Sequence, residues 1–360
     1  MRAAVMWEAG TPFDVRELDL AEPGPGQVEV TLHAAGVCAS DLALTTAFGQ
    51  PTPVVLGHEG AGVVSAVGDG VGGPGGVDVG DHVVVLWVAP CGYCTPCRRG
   101  DEYLCANRKS SADTRAGAGH RASPLTADGN PVYQGMATAT FADKTVLPAR
   151  AVVRIDDDVP FPVAAMMGCA VPTGVGASLR SARIRPGDAV AVIGCGAVGL
   201  NAVMGAVIAG ASRVVAVDPM ASRREFALTL GATESMTPDE FGEVRALDVV
   251  VDAVGHPPTV GAAWKAVRRG GTVTVVGAGR PDQVVEISAY ELFHDDKRLT
   301  GSFHGGISMR RDLSTLVGLW RTGRLPVERL VDGTAGLEDI NDVVQAQQAG
   351  DVVRTILTAG

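Results

Sequence analysis

The chain has 360 residues, of which 46% are hydrophobic and 19% are charged. This composition excludes an intrinsically disordered chain, which would be more polar and more highly charged, and the length predicts two domains. The formal net charge of −10 argues against a nucleic-acid partner, because that function favours a basic surface.

The N-terminal stretch has an acidic residue, Glu8, and no long apolar core, so it does not fit a secretory signal. Without such a signal, the seven cysteines favour metal binding or catalysis over disulfides. We therefore expect a cytoplasmic protein with no membrane segment. The uncharged run 189–212 is long enough for a membrane span, but its glycines and its β-like start favour a buried strand followed by a buried helix.

The N-terminal part of the chain predicts a β-rich domain, because short alternating strands such as 28–32 are broken by Gly and Pro clusters. It contains Cys38 and the segment Gly57-His58-Glu59-Gly60, and Cys169 follows later. A Cys, a His and a second Cys from three loops would form a zinc site with one open position, which is the catalytic kind. Spacing alone leaves open whether the three meet, and a buried structural cysteine is the alternative for each.

Four further cysteines have the spacing C-x2-C-x2-C-x7-C, and they are Cys91, Cys94, Cys97 and Cys105. Two-residue gaps let successive thiolates turn toward one ion, and a nearby fourth thiolate completes a tetrahedron. Because four thiolates leave no open position, the segment 91–105 predicts a structural zinc site. The alternative is a set of unligated thiols, which would be prone to oxidation beside Arg98 and Arg99.

A glycine motif predicts a dinucleotide site. The β-branched run 189–193 ends in G-x-G-x-x-G, with Gly194, Gly196 and Gly199, and an apolar helical stretch follows at 200–209. The glycines allow a tight turn and the close approach of a pyrophosphate, while the helix N-terminus offers free N–H groups. The alternative is a plain strand–helix–strand unit with a coincidental glycine pattern.

The next predicted strand, 213–217, ends at Asp218. Its carboxylate would accept hydrogen bonds from the adenosine ribose and repel a 2′-phosphate, so NAD is favoured over NADP. Arg223 and Arg224 follow closely and could soften that preference. Cys195, inside the glycine motif, is interpreted as a packing residue without chemistry.

More strand and helix patterns follow the dinucleotide motif. The runs 248–252 and 272–276 predict buried strands, with a helix at 259–269 between them, which is typical of a doubly wound parallel sheet. A helix at 309–321 and a closing strand at 352–357 form a final segment that we expect to return to the first domain.

Together these residues resemble the zinc-dependent medium-chain alcohol dehydrogenases over essentially the whole chain. The resemblance implies an α/β protein with a GroES-like, β-rich catalytic domain at 1–170, a Rossmann NAD-binding domain at 171–303 and a return segment at 304–360 that completes the catalytic domain. The spacing from Cys105 to Cys169 is similar to that of the long-chain, typically dimeric branch. The motifs that carry the resemblance are Gly36-Val37-Cys38, Gly57-His58-Glu59-Gly60, the lobe 91–105, Gly168-Cys169, the glycine motif with Asp218, and Arg354-Thr355-Ile356-Leu357.

The resemblance also implies residue roles. Cys38, His58 and Cys169 would hold a catalytic zinc, Glu59 would lie beside it and ligate transiently, and Asp41 would orient His58. Arg354 would contact the coenzyme pyrophosphate. The full set of implied coenzyme-binding residues is Gly194, Gly196, Ala197, Val198, Gly199, Asp218, Arg223, Val254, Val276 and Arg354. The implied cofactors are NAD and two zinc ions per chain, one catalytic and one structural.

Ser40 would take the proton of the substrate alcohol and pass it on through the coenzyme ribose or water; its alternative role is a turn hydroxyl bonded to its own backbone. Two departures from the family pattern are Ala39, where Arg or His often contacts the coenzyme phosphates, and Ala43, where many members have a relay His. By family position Trp87 and Met136 line the substrate pocket, or else belong to the core, and Phe48 is a further candidate.

The predicted function is hydride transfer between an alcohol, aldehyde or ketone and NAD, in a homodimer or, alternatively, a homotetramer. Within redox chemistry, the alternatives are a thiol-dependent formaldehyde dehydrogenase and a nicotinoprotein alcohol dehydrogenase with permanently held coenzyme. A zinc-free quinone reductase is disfavoured by the cysteines. An alternative of another class is a non-catalytic zinc- and NADH-binding protein on the same fold.

Overall fold

A computed structural model describes residues 1–73, 75–108 and 123–358. The chain forms two compact units. The first consists of Met1–Cys169, Met309–Leu313 and Pro326–Gly360, and the second of Ala170–Ser308 and Ser314–Leu325. The predicted return segment at 304–360 therefore differs from the observed division. Residues 314–325 belong to the second unit, where Arg324 donates a hydrogen bond to the carbonyl of Ile208.

The first unit is built mostly of strands, as its alternating pattern predicts. Numbered in chain order, its elements are β1 (Arg2–Met6), β2 (Asp14–Glu17), β3 (Asp19–Leu20), β4 (Gln27–Gly36), α1 (Ala39–Thr46), β5 (Val54–Val55), β6 (Glu59–Val67), β7 (His82–Val85), α2 (Thr95–Arg98), β8 (Leu125–Ala127), β9 (Asn130–Gln134), β10 (Lys144–Pro148), β11 (Val152–Arg154), α3 (Phe161–Met166), β18 (Gly333–Ala335), α11 (Ile340–Ala349) and β19 (Thr355–Thr358).

Two sheets organise this unit. One has the strand order β2-β1-β5-β9-β8-β3, and the other has the order β11-β7-β6-β4-β19-β18, with β10 also paired to β4. The long strand β4 is the centre of the second sheet, because β6, β10 and β19 all pair with it in antiparallel fashion. The predicted strand at 28–32 is part of β4, whose alternate residues are buried.

The final strand begins later than the apolar pattern predicts. The backbone N–H groups of Val353 and Arg354 donate to the Asp332 carboxylate instead of to a neighbouring strand. Strand pairing therefore starts only at β19, where Ile356 lies opposite Gly36 of β4. This register places the last strand, β19, beside β4 in one sheet.

The second unit is the predicted doubly wound domain. Its elements are α4 (Ala170–Gly176), β12 (Ala189–Ile193), α5 (Ala197–Ile208), β13 (Arg213–Val217), α6 (Ala221–Thr229), β14 (Glu234–Met236), α7 (Pro238–Phe241), β15 (Leu247–Asp252), α8 (Pro257–Ala266), β16 (Val267–Val275), α9 (Ala289–His294), β17 (Arg298–Gly301) and most of α10 (Met309–Arg321). The six strands are all parallel, in the order β14-β13-β12-β15-β16-β17.

The uncharged run 189–212 is β12 followed by α5, which confirms the buried strand and helix. In the described ranges, no helix is long and apolar enough to cross a membrane. The helix predicted at 259–269 ends three residues early, at Ala266. Val267 adopts an extended backbone and pairs with Leu247, so the chain passes directly from α8 into β16.

Candidate metal and coenzyme sites

The register of the second sheet brings the first two candidate ligands together. Gly36, the last residue of β4, lies opposite Glu59, the first residue of β6. Cys38 follows the end of β4 by two residues, and His58 precedes the start of β6. A side chain at Gly36 would lie only 2.2 Å from Glu59 Oε2, so glycine permits this close approach.

Asp41 connects the loop that carries Cys38 with the loop that carries His58. It lies in the first turn of α1, fully buried, and its carboxylate accepts hydrogen bonds from the backbone N–H of Cys38 at 3.2 Å and of Gly57 at 3.0 Å. The same carboxylate binds His58 Nδ1 at 2.7 Å. This contact places the Nδ1 proton toward Asp41, and it leaves His58 Nε2 buried with no hydrogen-bond partner among the described residues. A nitrogen lone pair in that position suits a metal ion.

Cys169 approaches from the segment between α3 and α4. A side chain on the preceding Gly168 would lie 2.9 Å from the carbonyl of Val85 and 3.6 Å from the Cα of Glu59. Glycine at this position lets the Cys169 backbone lie directly against β6 and β7. Cys169 is buried, like the other members of the cluster.

Cys38, His58, Glu59 and Cys169 each offer one ligand atom, and these atoms all lie within 4.8 Å of one another. Two thiolates, an imidazole and a carboxylate form a donor set that zinc prefers. Because His58 Nε2 is buried without another partner, the residues fit a bound zinc ion. The three loops predicted to contribute ligands do meet.

The electrostatics of the cluster favour binding of a cation. The hydrogen bond from the Cys169 thiol lowers the pKa of Cys38 well below its ordinary value, and it raises the pKa of Cys169 well above. Burial would lower the pKa of His58, but attraction to Asp41 more than offsets it and raises that pKa. Burial raises the pKa of Glu59 to about 7, against the opposing effect of Arg354. A metal ion would displace the protons these groups hold.

Arg354, for which a contact with the coenzyme is predicted, lies against the metal cluster. Its side chain is only 2% exposed, and its guanidinium pairs with Glu59 Oε1 at 3.3 Å and donates to the carbonyl of Val37. In this arrangement the Arg354 guanidinium bonds to residues of the metal cluster and its loop. The contact with a coenzyme pyrophosphate stays a prediction, and it would require these bonds to open.

The four-cysteine segment folds as a compact lobe. The ligand atoms of Cys91, Cys94, Cys97 and Cys105 lie within 4.8 Å of one another. Gly92 and Gly100 have positive φ angles of 81° and 85°, as expected for tight turns between ligands. The sulfur of Cys91 accepts hydrogen bonds from the Cys94 N–H and from Asn107 Nδ2, both at 3.4 Å. Four thiolates in this arrangement fit a closed, structural zinc site.

Ser40 and the predicted pocket residues differ in how closely they approach the cluster. Ser40 is half-buried in the first turn of α1, and its hydroxyl makes no hydrogen bond to the described residues. Trp87 packs edge-on against His58, with ring centroids 6.3 Å apart. Met136 packs against the apolar core of the first sheet. Phe48 follows the far end of α1, about 12 Å of helix away from Cys38, so its place in a pocket stays a prediction.

The glycine motif has the strand–turn–helix context that it requires. Gly194 has a φ of +89°, and a side chain at Gly199 would lie 1.7 Å from the Gly194 carbonyl oxygen. A side chain at Gly196 would meet no atom within 4 Å, so this side of the turn is open to a ligand. Ala197 and Val198 form the first turn of the twelve-residue α5, whose N–H groups face that space.

Asp218 closes the motif from the end of β13. Its carboxylate accepts hydrogen bonds from the backbone N–H of Cys195 at 2.8 Å and of Met220 at 2.9 Å. Arg224 donates to the carbonyl of Asp218 at 2.8 Å. Cys195 is fully buried, and burial raises the pKa of its thiol to about 12, which fits a packing role.

Val254 and Val276 follow the carboxyl ends of β15 and β16, at the same sheet edge as the glycine motif. Val254 approaches Gly194 so closely that a side chain there would lie 2.8 Å from Val254 Cγ2. Ligands of open parallel sheets bind at this edge. The coenzyme contacts of both residues, and of Arg223 on α6, stay predictions.

Two threonines were not singled out by the sequence patterns. Thr138 is buried, and its hydroxyl donates to the carbonyl of Gly57, beside His58. Thr173, on α4, is buried with its hydroxyl oxygen lacking a hydrogen-bond partner in the described chain. Neither belongs to a recognisable motif, and the Thr138 contact spans 81 residues of sequence. Only the folded chain reveals them.

Comparison with known proteins gives consistent matches to both units. Residues 24–157 match a family described as "Alcohol dehydrogenase GroES-like domain", and residues 197–320 match one described as "Zinc-binding dehydrogenase". The NDMA-dependent alcohol dehydrogenase of Amycolatopsis methanolica is 34% identical over 99% of this chain and 98% of its own length. The S-(hydroxymethyl)glutathione dehydrogenase of Escherichia coli is 33% identical over 99% of each.

A solved structure is similar over the same extent. The benzyl alcohol dehydrogenase of Acinetobacter calcoaceticus has a TM-score of 0.90 at 28% sequence identity, covering 100% of this chain and 99% of that chain. The similarity therefore includes both units and the segments that carry the two candidate metal clusters.

Proposed function

The chain belongs to the zinc-dependent medium-chain alcohol dehydrogenases, and from this we propose how its own residues divide the work of the reaction. As a member of this family it is an NAD-dependent zinc oxidoreductase that transfers a hydride between an alcohol and NAD. The single observation that supports the residue roles is the buried Cys38–His58–Glu59–Cys169 cluster, in which His58 Nε2 has no other partner among the described residues.

Cys38, His58 and Cys169 would hold the catalytic zinc, and Glu59 would lie beside it and ligate transiently. When bound, zinc supplies a Lewis acid that makes a substrate hydroxyl more acidic. Asp41 keeps the His58 proton on Nδ1, so that Nε2 faces the metal position. Arg354 balances the charge of Glu59 and of the thiolates. The lobe 91–105 holds a second, structural zinc.

Ser40 accepts the proton of the substrate hydroxyl. Its position two residues after a ligand and its unengaged hydroxyl in the described structure support this role. Because Ala43 cannot carry a proton, the proton continues through the coenzyme ribose or through water. Trp87, beside His58, limits one side of the substrate site, and it favours a small or flat alcohol over a bulky one.

The glycine motif and the N-terminus of α5 bind the coenzyme pyrophosphate. NAD supplies the hydride acceptor. Asp218 receives the adenosine ribose hydroxyls and disfavours a 2′-phosphate, so NAD is preferred over NADP. Its carboxylate already has two backbone donors, which fix its orientation before the coenzyme arrives.

We further propose a homodimer in a reducing, cytoplasmic compartment. The edge strand β17 exposes its backbone and Leu299, and Phe303 is also exposed nearby, so a second copy can pair along this edge. All seven cysteines are free thiols, and disulfide formation within the two clusters would destroy both metal sites. A homotetramer is the alternative assembly.

Elemental analysis followed by an alcohol panel with NAD tests the proposed function. We expect two zinc ions per chain, one for each cluster, and NAD-dependent oxidation of at least one alcohol. Benzyl alcohol belongs in the panel because of the similarity to a benzyl alcohol dehydrogenase. Metal-replete protein that binds NAD and zinc but shows no turnover with any alcohol or aldehyde would support the non-catalytic alternative.

The same protein preparation can be tested for two narrower activities, one with a permanently held coenzyme and one with formaldehyde and a thiol. The similarity to an NDMA-dependent alcohol dehydrogenase favours testing for tightly held coenzyme, through the reduced-nicotinamide absorbance of freshly purified protein. The similarity to an S-(hydroxymethyl)glutathione dehydrogenase favours testing formaldehyde with and without glutathione. If the coenzyme exchanges and the rate with formaldehyde does not depend on glutathione, both narrower activities are excluded, and the protein is an alcohol dehydrogenase that uses exchangeable NAD.

A further inference from the structure

A segment with an unusual backbone lies against the loop that carries His58. Met136, Ala137 and Ala139 have positive φ angles of 49°, 57° and 53°, although none of them is glycine. Such conformations are sparsely populated and persist only where the surrounding structure enforces them. The residue between them, Thr138, is the part of this segment that touches the His58 loop.

Thr138 is buried and bonded on both sides. Its hydroxyl lies 2.7 Å from the carbonyl oxygen of Gly57 and 2.9 Å from that of Gly135, and its proton is shared between these acceptors. Its own carbonyl accepts a hydrogen bond from Thr145 Oγ1 at 2.6 Å. Thr145 is part of β10, which pairs with β4. The position of Thr138 is therefore fixed by the sheet.

Gly57 is held at both of its backbone groups. Its N–H donates to Asp41 at 3.0 Å, and its carbonyl accepts from the Thr138 hydroxyl and from the Thr140 N–H at 3.1 Å. Gly57 has a φ of +95° and no side chain to restrain it, so these bonds set the orientation of the peptide that joins it to His58. The same Asp41 carboxylate fixes the ring of His58.

We propose that Thr138 is a positioning residue of the catalytic metal centre: its hydroxyl fixes the Gly57–His58 peptide and thereby the direction of His58 Nε2. Thr138 holds the carbonyl of Gly57, while Asp41 holds its N–H and the ring of His58, so that the imidazole meets the metal position without rearrangement. This inference rests on the proposed function, because it assigns Thr138 a role at the same metal site.

Thr138→Val tests the proposal, because valine keeps the shape of threonine and removes the hydroxyl. Thr140→Val is the matched control. Thr140 is equally buried and lies two residues away, but its hydroxyl has no hydrogen-bond partner in the described chain. Thr138→Ser restores the hydroxyl and should rescue the defect. Zinc release to a chromogenic chelator is followed for each protein, together with kcat, KM and the Kd of NAD.

We expect Thr138→Val to release the catalytic zinc about tenfold faster and to lower kcat by a similar factor, as for other outer partners of metal ligands. The lobe zinc is an internal reference and should leave at the wild-type rate, and the Kd of NAD should not change. Thr140→Val and Thr138→Ser should behave like wild type. If valine at 138 prevents folding, the pair Thr138→Ala and Thr140→Ala gives the same comparison.

The proposal is overturned if the variants at 138 and 140 have equal zinc release and kcat. It is also overturned if both zinc ions leave faster by the same factor, because that indicates general destabilisation. A different result defeats the proposed function itself: wild-type protein that holds only the lobe zinc and shows no turnover. The two failures are thus distinguishable.

Discussion

Ser40 shows how a single side chain is placed by its neighbours. Cys38 adopts an extended backbone and ends the loop, and α1 begins directly after it. Ser40 therefore lies in the first turn, where its orientation follows from the helix and not from a bond of its own hydroxyl. An unengaged hydroxyl beside a metal ligand suits proton transfer better than a structural role.

Ser40→Ala should lower kcat by about 10²-fold or more, because the substrate proton loses its acceptor. Zinc content should stay at the wild-type value, since Ser40 contacts neither metal cluster through a described hydrogen bond. Ser40→Thr, which keeps a hydroxyl, is the control and should retain most of the activity. Unchanged turnover in the alanine variant would remove Ser40 from the proton path.

For single residues, the sequence and its family resemblance indicated the ligands and Asp41 as the partner of His58, but they did not indicate the other partners. Cys38, His58 and Cys169 were candidates because Cys and His have a distinctive chemistry. The pairing of Arg354 with Glu59 and the bond from Thr138 to Gly57 could not be read from the chain, because both join residues far apart in sequence. Such contacts depend on the register of β4, β6 and β19, which local patterns do not contain.

In the turn between β12 and α5, Gly196 and Gly199 have different roles. Gly199 permits the helix to begin against the turn, since any side chain would lie 1.7 Å from the Gly194 carbonyl oxygen. Gly196 has free space on that side instead. Gly199 is therefore needed for folding of the turn, and Gly196 leaves space for the ligand.

Gly199→Ala should destabilise the second unit and abolish NAD binding, because the backbone must shift to accept the new methyl group. Gly196→Ala should leave the melting temperature unchanged but weaken NAD binding, because its methyl group fills the space that the pyrophosphate needs. Thermal denaturation and NAD titration of both variants check this. Equal losses of stability in the two variants would contradict the assigned roles.

The cysteine lobe is an element that the sequence predicts almost completely, because its ligands span only residues 91–105 and its turns carry the expected glycines. Cys97→Ser should reduce the zinc content from two ions to one and lower the melting temperature. Cys195→Ala is the control, since Cys195 is a buried cysteine outside both clusters. It should keep both zinc ions. Two ions in the Cys97 variant would exclude a four-thiolate site.

Where element boundaries differ from prediction, a specific contact explains the difference. The apolar pattern at 352–357 resembles a strand throughout, yet the Asp332 carboxylate takes the N–H groups of Val353 and Arg354. Likewise, the helical pattern at 259–269 ends early because Val267 joins the sheet. In both places a tertiary hydrogen bond overrides a local preference.

For the whole molecule, the alternation of strands and helices was sufficient to predict a β-rich unit followed by a doubly wound one. The pattern was not sufficient to predict how the C-terminal segment is divided between the two units, because the continuous helix α10 carries residues of both units. The proposed homodimer also belongs to this scale, because it depends on the edge strand β17.

Leu299→Lys should convert a dimer into a monomer, because it places a charge on the exposed edge strand. Light scattering coupled to size exclusion measures the mass. Leu228→Lys is a matched control, since Leu228 is 41% exposed and Leu299 is 39% exposed, and Leu228 lies on α6 away from the edge. If both variants have the mass of two chains, the dimer interface does not include β17. If the wild-type protein has the mass of four chains, it is a tetramer.

The pairing of β4 with β19 has a consequence for biosynthesis. Gly36 leaves the ribosome long before its partner Ile356. The nascent chain can close the cysteine lobe once residue 105 has emerged, and it can assemble the catalytic ligands after residue 169. The last residues of β4, at 34–36, nevertheless lack their partner strand until residues 355–358 have been made. This end of β4 is therefore completed long after it is synthesised, and its unpaired edge needs protection in the meantime.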